Sequence, residues 1–270
     1  MTIPSVALAD GRDLPLLGMG TYKLSPEGME HALGAGYRLL DTAAQYDNEE
    51  EVGRAIAASG IPRDELRVMT KLRGSQHGEA RAGLEGSLER LGLDHVDLYL
   101  IHWPNPSANL FVTAFAEMLR MRDEGLVGSV GVSNFNPRQL RRLHDEAGEW
   151  PVVNQIQCSP LLARRDLRAF HAEQGITSVG WGPLGLREGL PDRPEVAAVA
   201  EATGRTVSQV VLAWSVQRGI VAIPKSSDAE RQRENLGAFD VELTDEQWAT
   251  LDALDLGEGA AWDSETHEEF

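Results

Sequence analysis

Two hydrophobic rhythms alternate along this chain. Residues 5–18, SVALADGRDLPLLG, alternate apolar and polar positions around Asp10-Gly11, a pair that favours the turn of a tight β-hairpin. After it come short apolar runs rich in β-branched residues: RLLDT, RVMTK, VDLYLIHW, VGSVGVSNF, PVVNQIQ, ITSVGWG, GIVAIPKS and, more weakly, LGAFDVEL. Between them lie segments of helical periodicity such as PEGMEHALGAG, EARAGLEGSLERLG, LFVTAFAEMLRMRDEG, NPRQLRRLHDEAG and VSQVVLAWSVQRG.

Near-continuous apolar strands separated by helix-length connections predict a parallel sheet buried on both faces. Eight such units predict an α/β fold, a closed (β/α)8 TIM barrel with an N-terminal β-hairpin cap, in a single domain spanning residues 1–270. The competing open doubly wound sheet needs a G-x-G-x-x-G turn after its first strand. The nearest match, Gly18-Met19-Gly20, lacks the third glycine and follows the hairpin.

Composition narrows the partners. A formal charge of −17 argues against nucleic acid, whose binding is driven by clustered Lys and Arg. The single cysteine, Cys158, allows no disulfide within the chain and suits a reducing compartment. The N-terminus lacks a basic stretch leading into an apolar one, and nowhere do about 18 apolar residues run together. We therefore expect a cytoplasmic protein without a membrane partner. The acidic end, GEGAAWDSETHEEF, reads as a mobile tail.

The polar residues carry the functional signal. Counting RLLDT as the first barrel strand, Asp41 ends the first, Lys71 the second, His102 the third, Ser133 and Asn134 the fourth, Gln155 the fifth, Trp181 the sixth and Lys225 the seventh. In a barrel all these ends surround one mouth, where active sites are built. Taken singly, Asp41 also reads as a helix cap, Lys71 as a snorkelling side chain, His102 as a satisfied core histidine and Tyr46 as packing. Convergence on one rim is what those readings leave unexplained.

Together the four suggest acid–base chemistry. A phenol titrates near 10 and is a poor proton donor at neutral pH; a neighbouring ammonium favours its phenolate. Lys71 is the candidate ammonium, and Asp41 the carboxylate that keeps it charged on burial. We expect Lys71 to lower the Tyr46 pKa and His102 to donate a hydrogen bond to a substrate oxygen. The constellation has no nucleophile, and the other histidines show no metal-ligand spacing, so no metal is expected. Proton transfer to oxygen without a nucleophile suits carbonyl reduction, with the hydride drawn from a cofactor.

GYRLLDTAAQYDNEEEVG, VMTKL, VDLYLIHWP, GVSNF, VVNQIQ and IPKSS, in this order, resemble the aldo-keto reductase family. Length and the stretch VGWGPLG are most similar to its bacterial 2,5-diketo-D-gluconate reductases. The resemblance implies a barrel that binds NADPH, with NADH as the alternative, and reduces a small-molecule carbonyl substrate. Keto-sugars such as 2,5-diketo-D-gluconate and dicarbonyls such as methylglyoxal are the implied substrates. It implies a catalytic tetrad of Asp41, Tyr46 as proton donor, Lys71 and His102. It also implies cofactor contacts from Gly20, Thr21, Tyr22, Asp41, Ser133, Asn134, Gln155, Trp181, Leu184 and Gly185, and an adenosine-phosphate site of Lys225, Ser226, Arg231, Glu234 and Asn235.

Several positions depart from the family pattern. Asp228 stands where relatives often carry a phosphate-binding arginine, Arg73 replaces a pocket tryptophan, Asp47 follows Tyr46 in place of glycine, and Gln157-Cys158-Ser159 is unusual. Arg73, two positions beyond inward-facing Lys71, is a candidate partner for a substrate carboxylate, and Trp103 and Trp262 are further pocket candidates. A monomer is expected. The alternative function is a nucleotide-sensing or partner-binding barrel with little catalytic role, and a third, metal-dependent hydrolysis, would need paired histidines where Asp41-Thr42 stands.

Overall fold

The computed structural model describes residues 3–270. The predicted hairpin forms from β1 (Ser5–Ala7) and β2 (Asp13–Pro15), paired antiparallel. Gly11 supplies the positive φ of the turn, at 84°. The Asp10 carboxylate accepts a hydrogen bond from the Ser129 hydroxyl at 2.6 Å, which ties the turn to the barrel above it.

Eight parallel strands follow: β3 (Met19–Gly20), β4 (Leu39–Asp41), β5 (Arg67–Leu72), β6 (Val96–Ile101), β7 (Val127–Ser133), β8 (Val153–Gln157), β9 (Thr177–Trp181) and β10 (Val221–Ile223). Each pairs with the next in sequence. A parallel bridge between Leu17 and Ala222, with Gly20 N donating to Pro224 O at 3.0 Å, joins the last strand to the first and closes the barrel.

The strand count of eight holds, but its membership does not. LGAFDVEL is not a strand; Gly237–Asp240 forms a short 3-10 turn. The missing strand is Met19–Gly20, at the sequence set aside as an imperfect dinucleotide motif. It has two residues, too few to show a period, and its partners on either side define it. Asp41 therefore ends the second barrel strand, and every later position moves up by one.

Helices α1 (Pro26–Ala35), α2 (Glu49–Ser59), α3 (Ala80–Leu91), α4 (Phe111–Asp123), α5 (Pro137–Ala147), α6 (Arg165–Gln174), α7 (Pro194–Thr203), α8 (Val207–Val216), α9 (Ala229–Leu236) and α10 (Asp245–Asp252) surround the strands. Their ends are written in local chemistry. Asn136 and Gln139 form a reciprocal capping box at the start of α5, with Pro137 at its first position. Thr206 and Gln209 do the same for α8.

The period of two along the strands sorts side chains into two cores. Outward residues such as Leu40, Val68, Leu72, Tyr99, Ile101 and Val132 pack against the helices. Inward residues Leu39, Met69, Leu98, Leu100, Val153, Val179, Val221 and Ile223 fill the barrel, plugged from below by Leu8 and Leu14 of the hairpin. One inward step further along the same strands come Asp41, Lys71, Gln155 and Trp181. The apolar bottom layers hold a polar top layer in place.

Candidate active site

Above that plug the strand ends open into a cavity of about 540 Å³, within the range of small-molecule sites. Its floor is an ionic pair. Lys71 Nζ lies 2.5 Å from Asp41 Oδ1 and also donates to Thr42 O at 2.8 Å. Both side chains are almost fully buried, at 1% and 5% exposure. The second Asp41 oxygen accepts from Gln155 Nε2 at 3.1 Å. Burial favours a neutral lysine, but the Asp41 charge and the adjoining phenol outweigh it, so Lys71 is held above the ordinary lysine range.

Tyr46 reaches this pair from a short 3-10 turn, Ala44–Tyr46, between β4 and α2. Its hydroxyl stands 3.4 Å from Lys71 Nζ. The Lys71 nitrogen also lies 5.0 Å from the Tyr46 ring centre. The expectation of a lowered Tyr46 pKa is corrected. Burial pushes the phenol up, the lysine pulls it down, Asp41 and Glu269 push it up again, and the net direction is upward. Lys71 limits that rise without reversing it.

His102, one residue beyond β6, packs its ring edge-on to Tyr46 with centres 5.8 Å apart. Burial lowers its pKa below the usual imidazole range. So Asp41, Tyr46, Lys71 and His102, drawn from three strand ends and a turn, meet in one place. Tyr22 stacks obliquely on Tyr46 at 5.1 Å and extends the aromatic wall to the rim.

Most of the expected cofactor positions line the same cavity: Gly20, Tyr22, Ser133, Asn134, Gln155, Trp181, Leu184, Gly185 and Lys225. Asn134, in a left-handed conformation with φ 65°, accepts from Trp181 Nε1 at 2.9 Å and thereby fixes the plane of that indole. It also donates to His102 O at 3.1 Å. Thr21 lies just behind the wall, its hydroxyl donating to Asp41 O at 3.1 Å. Ser226, Arg231, Glu234 and Asn235 lie outside the cavity wall, beyond Lys225. Ser226 packs on the loop before α9, Arg231 is exposed on α9, Glu234 accepts from the Thr206 hydroxyl at 2.6 Å, and Asn235 is buried.

Asp228 has a local role that its charge concealed. It is the N-cap of α9, with Oδ1 accepting from Glu230 N at 2.8 Å and Arg231 N at 3.0 Å. Those two amides hold its carboxyl below the usual carboxylate range.

Arg73 does not reach the cavity wall. Strand β5 ends at Leu72, and the guanidinium is drawn to Asp47 Oδ1 at 2.8 Å and Ala44 O at 3.0 Å. Asp47 is in a left-handed conformation with φ 53°, which explains why glycine is at home there. Trp103 and Trp262 do line the cavity, stacked with ring centres 6.0 Å apart.

The tail is not loose. Glu269, the penultimate residue, enters the cavity, and Glu268 accepts from Ser107 N at 2.6 Å and its hydroxyl at 2.8 Å. No periodicity marks this segment, so its docking was invisible in the sequence. Gln157 also faces the cavity and donates to Glu188 Oε1 at 2.9 Å, linking β8 to the loop after β9. Among the described residues no His, Cys, Asp and Glu cluster can hold a metal ion, and no helix is long and apolar enough to cross a membrane.

This fold and this site recur in known proteins. The chain is 47% identical over 99% of its length to a 2,5-diketo-D-gluconic acid reductase B of Corynebacterium sp. (strain SHS752001), and covers 99% of that protein. It is 45% identical, over 98% of each chain, to an aldo-keto reductase of Mycobacterium sp. (strain KMS). The crystal structure of an aldo/keto reductase from Brucella melitensis superposes with a TM-score of 0.90 at 40% identity, covering 94% of this chain and all of that one. Residues 21–256 match the family model described as the aldo/keto reductase family. The chain belongs to that family, and is an NAD(P)H-dependent oxidoreductase built to reduce carbonyl groups.

Proposed function

We propose that this enzyme reduces small aldehydes and ketones with NADPH, and that Tyr46 delivers the proton to the carbonyl oxygen. The observation that carries the reading is the buried chain Asp41–Lys71–Tyr46, joined at 2.5 and 3.4 Å beneath the cavity. Asp41 keeps Lys71 cationic, and Lys71 stabilises the phenolate left when Tyr46 gives up its proton. His102 orients the substrate oxygen, while Trp103 and Trp262 supply an apolar wall that excludes water.

The residues at the mouth fit a nicotinamide nucleotide. Gln155 spends its amide N–H on Asp41, leaving Oε1 as an acceptor for a carboxamide, and Ser133 and Asn134 stand beside it. The fixed indole of Trp181 offers a flat surface for an aromatic ring. Lys225, exposed in the loop after β10, and Arg231, exposed in the first turn of α9, are the candidate cations for a 2′-phosphate. When bound, the reduced nicotinamide supplies the hydride.

Keto-sugars such as 2,5-diketo-D-gluconate, the substrate named for the Corynebacterium relative, and dicarbonyls such as methylglyoxal are the substrate classes to test first. The same reading treats the chain as one barrel domain, monomeric and cytoplasmic. Its test is Tyr46→Phe. This variant keeps cofactor affinity, measured by nicotinamide fluorescence, and loses about 10²–10⁴-fold in turnover, the usual worth of a positioned acid. Near-normal reductase activity in Tyr46→Phe rejects the assignment.

A further inference from the structure

Glu269 is held in the cavity by its backbone, independently of its side chain. The Asn105 side chain clamps it from both sides, donating from Nδ2 to Glu269 O at 2.5 Å and accepting from Glu269 N at 3.1 Å. Asn105 is fully buried. Gly74 leaves room for this contact, since a Cβ there would fall 1.8 Å from Glu269 O. Two residues earlier, His267 packs on Trp103 and Trp262 with ring centres 4.2 and 4.7 Å away. Glu269 thus projects from an anchored strap.

Its carboxylate meets His102. Glu269 Oε2 lies 2.9 Å from His102 Nδ1, oblique to the line a hydrogen bond requires, and neither atom has another partner among the described residues. Nδ1 is the buried ring nitrogen, which leaves Nε2 as the one open to the cavity. The charged and titratable groups around the ring are Asp41 from β4, Lys71 from β5 and Glu269 from the tail, with Tyr46 from the turn after β4 packed against its edge. Asp41 is already spent on Lys71 and Gln155. Glu269 is the carboxylate that faces the imidazole, and His102, His267 and Lys71 together overcome its burial to hold it below the usual glutamate range.

A carboxylate only accepts hydrogen bonds, and a neutral imidazole carries one hydrogen on one of its two nitrogens. A bare Nδ1 lone pair 2.9 Å from a carboxylate oxygen is repelled even off axis, whereas an N–H dipole there is attracted, so the hydrogen belongs on Nδ1. Nε2 then carries a hydrogen only in the doubly protonated ring.

We propose that Glu269 is a positioning residue that selects the Nδ1–H form of His102, so that Nε2 donates to a substrate oxygen only as an imidazolium and accepts from a substrate hydroxyl when neutral. This rests on the reductase reading for its kinetic consequence, though not for the ring form itself. Carbonyl binding gains a donor as pH falls, and alcohol binding gains an acceptor as pH rises. A hydroxyl beside the carbonyl, as in a keto-sugar, gives the neutral ring a partner that a simple aldehyde lacks.

The decisive variant is Glu269→Gln, which keeps size and the backbone clamp but can either donate or accept at Nδ1. Long-range ¹⁵N–¹H spectra of the full chain, with His102 assigned by loss of its signals in His102→Asn, read the ring form directly. The expected result is Nδ1–H for neutral His102 in the native protein and a shift toward Nε2–H in Glu269→Gln. For a simple aldehyde, the native kcat/KM falls up to tenfold per pH unit above the His102 pKa, and that limb flattens in Glu269→Gln with cofactor affinity unchanged. Should Glu269→Gln fold poorly, Glu269→Ala keeps the backbone clamp and gives the same two readouts. Neutral Nε2–H in the native protein, or superimposable spectra and pH profiles in native and variant, overturns the proposal. If the native protein fails to oxidise NADPH with every aldehyde, ketone and keto-sugar offered, the reductase reading fails, and the spectra still decide the ring form.

Discussion

Asp41 and Lys71 form an ion pair at 2.5 Å with both side chains almost wholly out of water. Such a pair contributes little net stability compared with apolar replacements, but removing one partner strands a buried charge, at a cost of about 3–5 kcal/mol. On the proposed mechanism the pair serves the chemistry at Tyr46 rather than the stability of the fold. We expect Asp41→Asn to lower kcat/KM by about 10–10²-fold through loss of lysine charge near Tyr46, and to destabilise the fold. Adding Lys71→Met should restore most of the stability and none of the activity. Urea unfolding set beside steady-state rates tests both halves; recovery of activity in the double variant contradicts the role of the lysine.

Asp228 caps α9 and carries a negative charge close to the candidate phosphate cations. Asparagine caps a helix about as well as aspartate, so Asp228→Asn isolates the charge. The expected gain for NADPH over NADH is about 2–5-fold, the size of a screened local charge effect. Dissociation constants for both nucleotides measure it, and an unchanged ratio removes Asp228 from cofactor choice.

Arg73 is engaged by Asp47 and Ala44 O rather than by the cavity. We expect Arg73→Ala to change catalytic efficiency equally toward acidic and neutral carbonyls, and to cost no more than about 1 kcal/mol, since Asp47 is largely exposed at 82%. A selective loss with acidic substrates would mean that the guanidinium swings inward when substrate binds.

Glu49 is 1% exposed and binds Arg90 through Nε at 2.9 Å and Nη2 at 2.7 Å, with the Thr70 hydroxyl at 2.5 Å. This knot fastens α2 and α3 to the outside of β5, away from the cavity. Glu49→Ala should destabilise by about 2–4 kcal/mol, or roughly 4–16 °C in Tm for a chain of this size, with kcat unchanged at low temperature. Calorimetry checks it, and a shift under about 2 °C would show that the network adds little.

His171 is buried with Nε2 accepting from Asn154 at 3.0 Å and Nδ1 facing the Ser178 hydroxyl at 2.9 Å. Burial, reinforced by Arg164 and Arg168, pushes its pKa down to about 3 from 6.5. A lowered histidine pKa means that the unfolded chain binds the proton more readily. Its stabilising contribution is therefore complete above about pH 6.5 and is lost as pH falls toward about 3, at up to ~1.4 kcal/mol per pH unit. His171→Gln should remove that slope between pH 6 and 4. Urea midpoints across this range decide it; parallel lines for native and variant mean that His171 titrates normally.

How much of this was legible in the chain follows from the range of each interaction. Alternation within five or six residues marks a strand such as Val96–Ile101, and capping signals mark helices such as α5, because those patterns record local backbone geometry. Polar residues following apolar runs marked the barrel mouth for the same reason, so Asp41, Lys71 and His102 could be placed together from spacing alone. Met19–Gly20 is too short to carry a period and exists as a strand only because β4 and β10 flank it. Arg73 obeyed the alternation that suggested an inward side chain, yet Asp47, distant in sequence, captured it. Burial reversed the expected direction for Tyr46, since desolvation depends on every neighbour and not on the one lysine that the motif names. Glu269 is the clearest case: nothing near it in the chain points to His102, and only the packing of the tail through Asn105, Gly74 and Trp103 brings the two together. The sequence by itself determined the rhythm of elements and the kinds of side chain at the barrel mouth. Tertiary structure decided which of those groups are dry, which are paired and which nitrogen of His102 meets a charge, because desolvation and Coulomb energies are set by distances between residues far apart along the chain.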